Sequence, residues 1–164
     1  MSEFGPEFAK AFAKQKEMPG WEFLQGATLY STGHSLGGGL AEEFAYSLPA
    51  NYPGVPRVTK VYAFAPSPVT GFMSVKMTTR KENKKGLKID RIYERGEVLA
   101  ILRSLTSTIH KPPAVNPEVR QLRYNLFGND RCGLTNSIAG HSIQDLALGL
   151  KQASGPLAGA VSKQ

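Results

Sequence analysis

Apolar and polar positions along the chain change period several times, and each change marks an element. From Pro6 to Glu17, Phe8, Ala9, Phe12 and Ala13 recur at helical spacing between Lys10, Lys14 and Lys16, which predicts an amphipathic helix stopped by Pro19-Gly20. The run from Ala27 to Thr32 is short and uncharged, the pattern of a strand covered on both faces. Leu36, Leu40, Ala41, Phe44, Ala45 and Leu48 then trace one apolar helix face ended by Pro49. Turn residues from Asn51 to Pro56 predict a loop, and Val58 to Ala65 a second strand closed by Pro66. Leu87 to Tyr93 reads as a third strand, more polar and so nearer an edge. Val98, Leu99, Ile101, Leu102, Leu105 and Ile109 give a helical stripe directly after Glu97.

The prolines between Lys111 and Pro117 require a connection. Beyond them Arg120, Leu122, Tyr124 and Leu126 alternate with Val119, Gln121, Arg123 and Asn125, a fourth strand with one greasier face. Gly128 to Gly140 is polar loop, and Ile143, Leu146, Ala147 and Leu150 predict a last helix over Ser142 to Gln152. Strands alternating with helices at this spacing imply βαβ units, hence an α/β fold with a mostly parallel sheet of about four strands flanked by helices. The chain shows neither an internal repeat nor a linker, so residues 1–164 read as one domain. Met1-Ser-Glu-Phe-Gly5 reads as a leader outside the fold, and residues 153–164 as a tail of little bulk.

Chemistry concentrates where the first strand meets the second helix, at Gly33-His34-Ser35-Leu36-Gly37-Gly38. In a G-x-S-x-G elbow the serine sits on a turn tight enough that Gly33 and Gly37 are expected to relieve contacts any Cβ would make. The turn lifts Ser35 clear and aims the free N–H groups of the helix start, Leu36 first, at the place where an oxyanion would form. A serine hydroxyl needs a base within reach and a third group to orient that base. Of the three histidines, His34 neighbours Ser35 and is expected to pack beneath the turn, and His110 lies at a surface helix end. His141 stands just before Ser142-Ile-Gln-Asp145, a capping-box pattern, on the loop that follows the fourth strand. For the acid, Asp145 is accounted for by its cap and Asp90 lies inside a strand. Glu97 follows the third strand and starts a helix and is the choice, with Glu94 in reserve and Asp130 third.

The elbow string, the strand before it and the helix after it resemble the nucleophile elbow of α/β-hydrolases, most closely the class 3 lipases. Ser35, Glu97 and His141 stand in the chain order Ser, acid, His of that fold, and Val58-Thr-Lys-Val-Tyr-Ala-Phe-Ala-Pro66 stands where the family has its next core strand. The resemblance implies an α/β-hydrolase-like fold and a serine carboxylester hydrolase acting on lipid or phospholipid esters without a cofactor or metal. It covers about Pro6 to Gln152. The chain departs from the family in having Glu rather than Asp as the acid, and in having one helix before the elbow where the family has about half its sheet and the loop that supplies the other oxyanion N–H. That implies a sheet lacking the N-terminal strands and weak turnover, with two readings open: a piece of a longer protein, whose absent N-terminal part would be a partner, or a trimmed fold with an exposed edge at Thr28 to Thr32.

Composition adjusts this picture in two ways. With 41% apolar and 20% charged residues the chain is globular, and no window is as long as a membrane span or reads as a signal peptide, which leaves localisation open. One cysteine, Cys132, excludes a disulfide framework. The net charge of +7 gathers at Lys76, Arg80, Lys81, Lys84, Lys85 and Lys88, read first as a solvated loop and second as a peripheral contact with an anionic membrane. A non-catalytic binding module, with these cations meeting anionic lipid, nucleic acid or an acidic protein, is the alternative to the esterase. Nucleic acid is the disfavoured partner.

Overall fold

The predicted alternation of strand and helix resolves into a single sheet with helices packed on it. A computed structural model of the chain describes residues 4–15, 26–49, 55–67, 75–96, 99, 117–126 and 141–154. Among these, the elements run α1 (Phe4–Gln15), β1 (Leu29–His34), α2 (Leu36–Ser47), β2 (Val58–Phe64), α3 (Met77–Asn83), β3 (Lys88–Glu94), β4 (Glu118–Tyr124) and α4 (Ile143–Ala153). All strand pairs are parallel, in the order β1-β2-β3-β4. A parallel neighbour needs a crossover, and α2 and α3 supply the first two. The fold is α/β-hydrolase-like, a four-stranded parallel sheet flanked by helices. The helix expected over 98–109, the loop over 128–140, and Glu97, His110, Asp130 and Cys132 lie outside the described residues.

The core lies between the sheet and α2. Val58, Val61 and Ala63 of β2 and Ile89 of β3 cluster with Ala41, Phe44 and Ala45 of α2 and with Leu48, which caps that helix, all buried. Phe8 of α1 stands edge-on to Phe44 at 4.9 Å, and a Cβ on Gly5 would lie 2.5 Å from the Ser47 carbonyl carbon, so α1 lies directly on the end of α2. Asn83 closes α3 against α2 by donating to the Tyr46 carbonyl at 2.9 Å and to that of Leu48.

Four expectations are corrected. The cationic segment is not simply loop: residues 77–83 form α3, whose buried Asn83 anchors it while Lys81 is exposed. β3 is interior, between β2 and β4, despite its polarity. Its polar residues are paired rather than solvated. Asp90 accepts from Lys60 on β2 at 2.7 Å and from Arg120 on β4 at 2.7 and 2.8 Å, and Arg91 reaches Glu42 on α2 at 2.8 and 2.6 Å. β1 is covered on one face only: Ser31 is buried while Tyr30 is 59% exposed, stacked edge-on to Tyr62. Finally, Leu36 and Leu40 are not part of the buried face of α2. At 100° per residue they fall on the arc opposite Gly38 and Ala45, and both are more than half exposed. The edge expected at β1 is present, since among the described residues β1 pairs only with β2.

Burial alone would raise the Asp90 carboxyl, but hydrogen bonds and charge from Arg120 and Lys60 outweigh it and hold the carboxyl below its ordinary value. The Glu42–Arg91 pair is the more demanding one, because Glu42 is 2% exposed. Arg91→Met would strand a buried carboxylate. It is expected to lower the unfolding free energy by about 3–5 kcal/mol. The double replacement Glu42→Leu/Arg91→Met is expected to recover most of that loss, as read by urea denaturation.

Candidate active site

The elbow is built from backbone first. Ser35 has φ 55° and ψ −123°, a region costly for any residue with a side chain, at roughly 1–3 kcal/mol. Four hydrogen bonds hold it there. Its N–H donates to the Phe64 carbonyl at 2.9 Å, and its carbonyl accepts from Gly38 at 3.0 Å, Gly39 at 3.3 Å and Ser67 at 2.9 Å. The end of β2 thus clasps the elbow from both sides. Ala65 is itself at φ 40°, with its N–H on the Ile92 carbonyl at 2.7 Å.

Close approach explains the glycines, though not as the motif suggests. A Cβ on Gly33 would fall 2.1 Å from the Gly37 carbonyl oxygen, and one on Gly38 would come within 3.1 Å of Pro66. A Cβ on Gly37 would meet nothing within 4 Å. The expected steric need at Gly37 is therefore absent; the tight second position is Gly38. Gly33→Ala is expected to abolish the elbow, whereas Gly37→Ala should fold normally and gain up to about 1 kcal/mol from helix propensity. Thermal melts of the two variants side by side would reveal an error if they shifted alike.

Helix α2 starts at Leu36, immediately after Ser35, so the Gly38 and Gly39 N–H groups go to the Ser35 carbonyl while no intrahelical acceptor precedes Leu36 and Gly37. Across from them, His141 precedes the helix α4, whose cap is Ser142, with Ser142 Oγ accepting the Asp145 N–H at 3.3 Å. That cap sets where the chain leaves the helix. His141 Nε2 lies 2.8 Å from Ser35 Oγ. The structure thereby brings together Ser35, Leu36 and His141.

His34 has a role that sequence reasoning missed. Its Nε2 lies 2.8 Å from the His141 carbonyl oxygen, and the two rings stand 4.9 Å apart. A carbonyl can only accept, so Nε2 of His34 carries the proton. Burial, followed in size by the opposing His141 carbonyl bond and then by repulsion from the His141 ring, leaves the His34 pKa below 6.5. The only sequence signal was its place beside Ser35.

The reserve acid, Glu94, ends β3 and is 3% exposed, with both carboxylate oxygens accepting the Leu126 N–H at 2.9 and 3.0 Å. It ties the end of β3 to the chain leaving β4. Among the described residues no group of three or more His, Cys, Asp or Glu side chains converges as a metal site, and no helix is long and apolar enough to cross a membrane.

The family model described as lipase (class 3) matches residues 5–106, more than half of the chain, from the second residue of α1 through β3. The chain belongs to the class 3 lipases. It is a lipase-type hydrolase by family. No curated protein and no solved structure matches it. β4, α4 and His141 lie beyond the matched residues.

A folded-state pKa below the unfolded one means that, as pH falls through the ordinary imidazole range, the unfolded chain binds the His34 proton before the folded lipase does. Stability contributed by His34 is therefore present above about pH 6.5 and lost below it. Urea midpoints taken at about pH 7.5 and about pH 5.5 should differ less in His34→Gln than in the wild type; an unchanged difference would refute this.

Proposed function

We propose that this class 3 lipase hydrolyses carboxylic esters of lipids with Ser35 as nucleophile, His141 as general base, Glu97 as the acid that orients His141, and the Leu36 N–H as oxyanion donor. The observation that carries the reading is the 2.8 Å approach of His141 Nε2 to the Oγ of a serine held at positive φ. As Ser35 Oγ bonds to the ester carbonyl carbon, its proton passes to His141 Nε2, and the carbonyl oxygen becomes an oxyanion facing the first turn of α2. The C–O bond then breaks, His141 gives its proton to the leaving alcohol, and water repeats the sequence to release the acid and restore Ser35.

A lipid rather than a polar ester is favoured by the surroundings of the nucleophile. Leu36 is 62% exposed and Leu40 52%, both on the helix that begins at Ser35. The cationic residues serve less well as the lipid contact. Ser35 follows the C-terminal end of β1, whereas Lys84 and Lys85 precede the N-terminal end of β3, opposite ends of a parallel sheet roughly 20 Å apart. An anionic membrane gripped at Lys84 and Lys85 would stand away from the nucleophile. The binding-module reading finds its surface there instead, and salt-sensitive vesicle binding that survives Ser35→Ala would speak for it.

The family pattern includes a second oxyanion donor that is not among the residues assigned here, and one such donor is worth ~10²–10³ in turnover. Covalent labelling is therefore the sharper readout. A fluorophosphonate should label the wild type at Ser35, fail with Ser35→Ala, and fall by at least about tenfold in His141→Ala. Glu97→Gln should slow labelling while Glu94→Gln lowers stability first; the reverse pattern would move the acid to Glu94. A folded wild type that never labels would end the catalytic reading.

A further inference from the structure

We infer that His34 is a positioning residue: through its Nε2–H it fixes the backbone of the base, His141, to the strand that carries the nucleophile. The inference rests on the proposed roles of Ser35 and His141 and adds a second histidine to the same site. His34 is the last residue of β1, and its backbone registers against Phe64 of β2. That places it at the end of a hydrogen-bonded strand, one residue before Ser35. His141 arrives from the other end of the chain, 107 positions later, outside any strand or helix and ahead of the Ser142 cap.

Two bonds of equal length join these parts. Ser35 Oγ meets the His141 side chain at 2.8 Å, and His34 Nε2 meets the His141 main chain at 2.8 Å. The first is the bond chemistry would make and break, since Ser35 gives up its proton in the reaction. The second stays whole through the cycle. It holds His141 at its carbonyl, so the ring can accept a proton and return it while its pivot remains at a fixed distance from Ser35. A misplacement of about 1 Å at a reacting group costs up to ~10²-fold in rate, which sets the scale of the effect.

The pairing also specifies which state of His34 works. The donor to a carbonyl must be Nε2–H, leaving Nδ1 without a proton in the neutral ring. A neutral His34 adds no second positive charge beside the imidazolium that His141 becomes when Ser35 attacks. The ring separation of 4.9 Å is close enough for such a charge to matter.

The experiment has two arms. In uniformly ¹⁵N-labelled wild type near neutral pH, long-range ¹H–¹⁵N correlation should find His34 in the Nε2–H tautomer; an Nδ1–H tautomer would overturn the inference whatever the activity. In the second arm, His34→Ala is expected to slow fluorophosphonate labelling and kcat by about 10- to 100-fold with KM little changed, while His34→Gln, which keeps a side-chain N–H donor, recovers a large part of that loss. Melting temperatures of both variants identify any general unfolding. Equal labelling by wild type and His34→Ala would overturn the positioning role, and a loss not rescued by Gln in a folded protein would do the same. A wild type that carries the Nε2–H tautomer yet never labels Ser35 would instead count against the catalytic reading on which the inference rests.

Discussion

Everything at the candidate site depends on one backbone conformation, that of Ser35. A residue with a side chain pays for φ 55° in local strain, and only a surrounding that satisfies its amide and carbonyl several times over can keep it there. Here the surrounding comes from two directions. Phe64 and Ser67, on either side of the turn that ends β2, take one bond each, and the first turn of α2 adds two more. The elbow is therefore a junction between two neighbouring strands and a helix, rather than a property of five residues in a row. It explains why the second strand must end at Ala65-Pro66-Ser67, with Pro66 lying against Gly38.

The same economy governs the sheet. A parallel strand buried between neighbours ordinarily reads as a continuous apolar run, and β3 does not. Its Asp90 and Arg91 are tolerated because each has partners on an adjacent element: Lys60 and Arg120 on the flanking strands, Glu42 on α2. These pairs contribute little net stability relative to a well-packed apolar core, but removing one member leaves a charge with nowhere to go. They work as register marks, since Asp90 meets both partners only when β2, β3 and β4 are aligned as observed.

Much of this was legible in the sequence, and what was not had a physical reason. The strand-elbow-helix order, the four strands and the cap at Ser142 followed from period and punctuation, because those signals are local. The position of β3 did not, since a polar residue looks the same whether water or a cross-strand arginine satisfies it. Leu36 and Leu40 were read as core because hydrophobicity marks a helix face without saying which face is covered. Gly37 was credited with a steric role that belongs to Gly38, a distinction that turns on where Pro66 lies. His34 drew no attention beyond its neighbour because its partner, the His141 carbonyl, is a main-chain atom and leaves no trace in residue identity.

Ser35 and His141 meet at 2.8 Å yet are separated by 106 positions, and the bond from His34 to the His141 carbonyl spans 107. Such contacts form late, after the loop-closure entropy of everything between has been met. A chain that has ordered only α1 through β4 has no His141 beside Ser35. The pairing of Ser35 with His141 is thus a property of the completed fold: it exists only once α4 has docked, and no shorter stretch of the chain carries it.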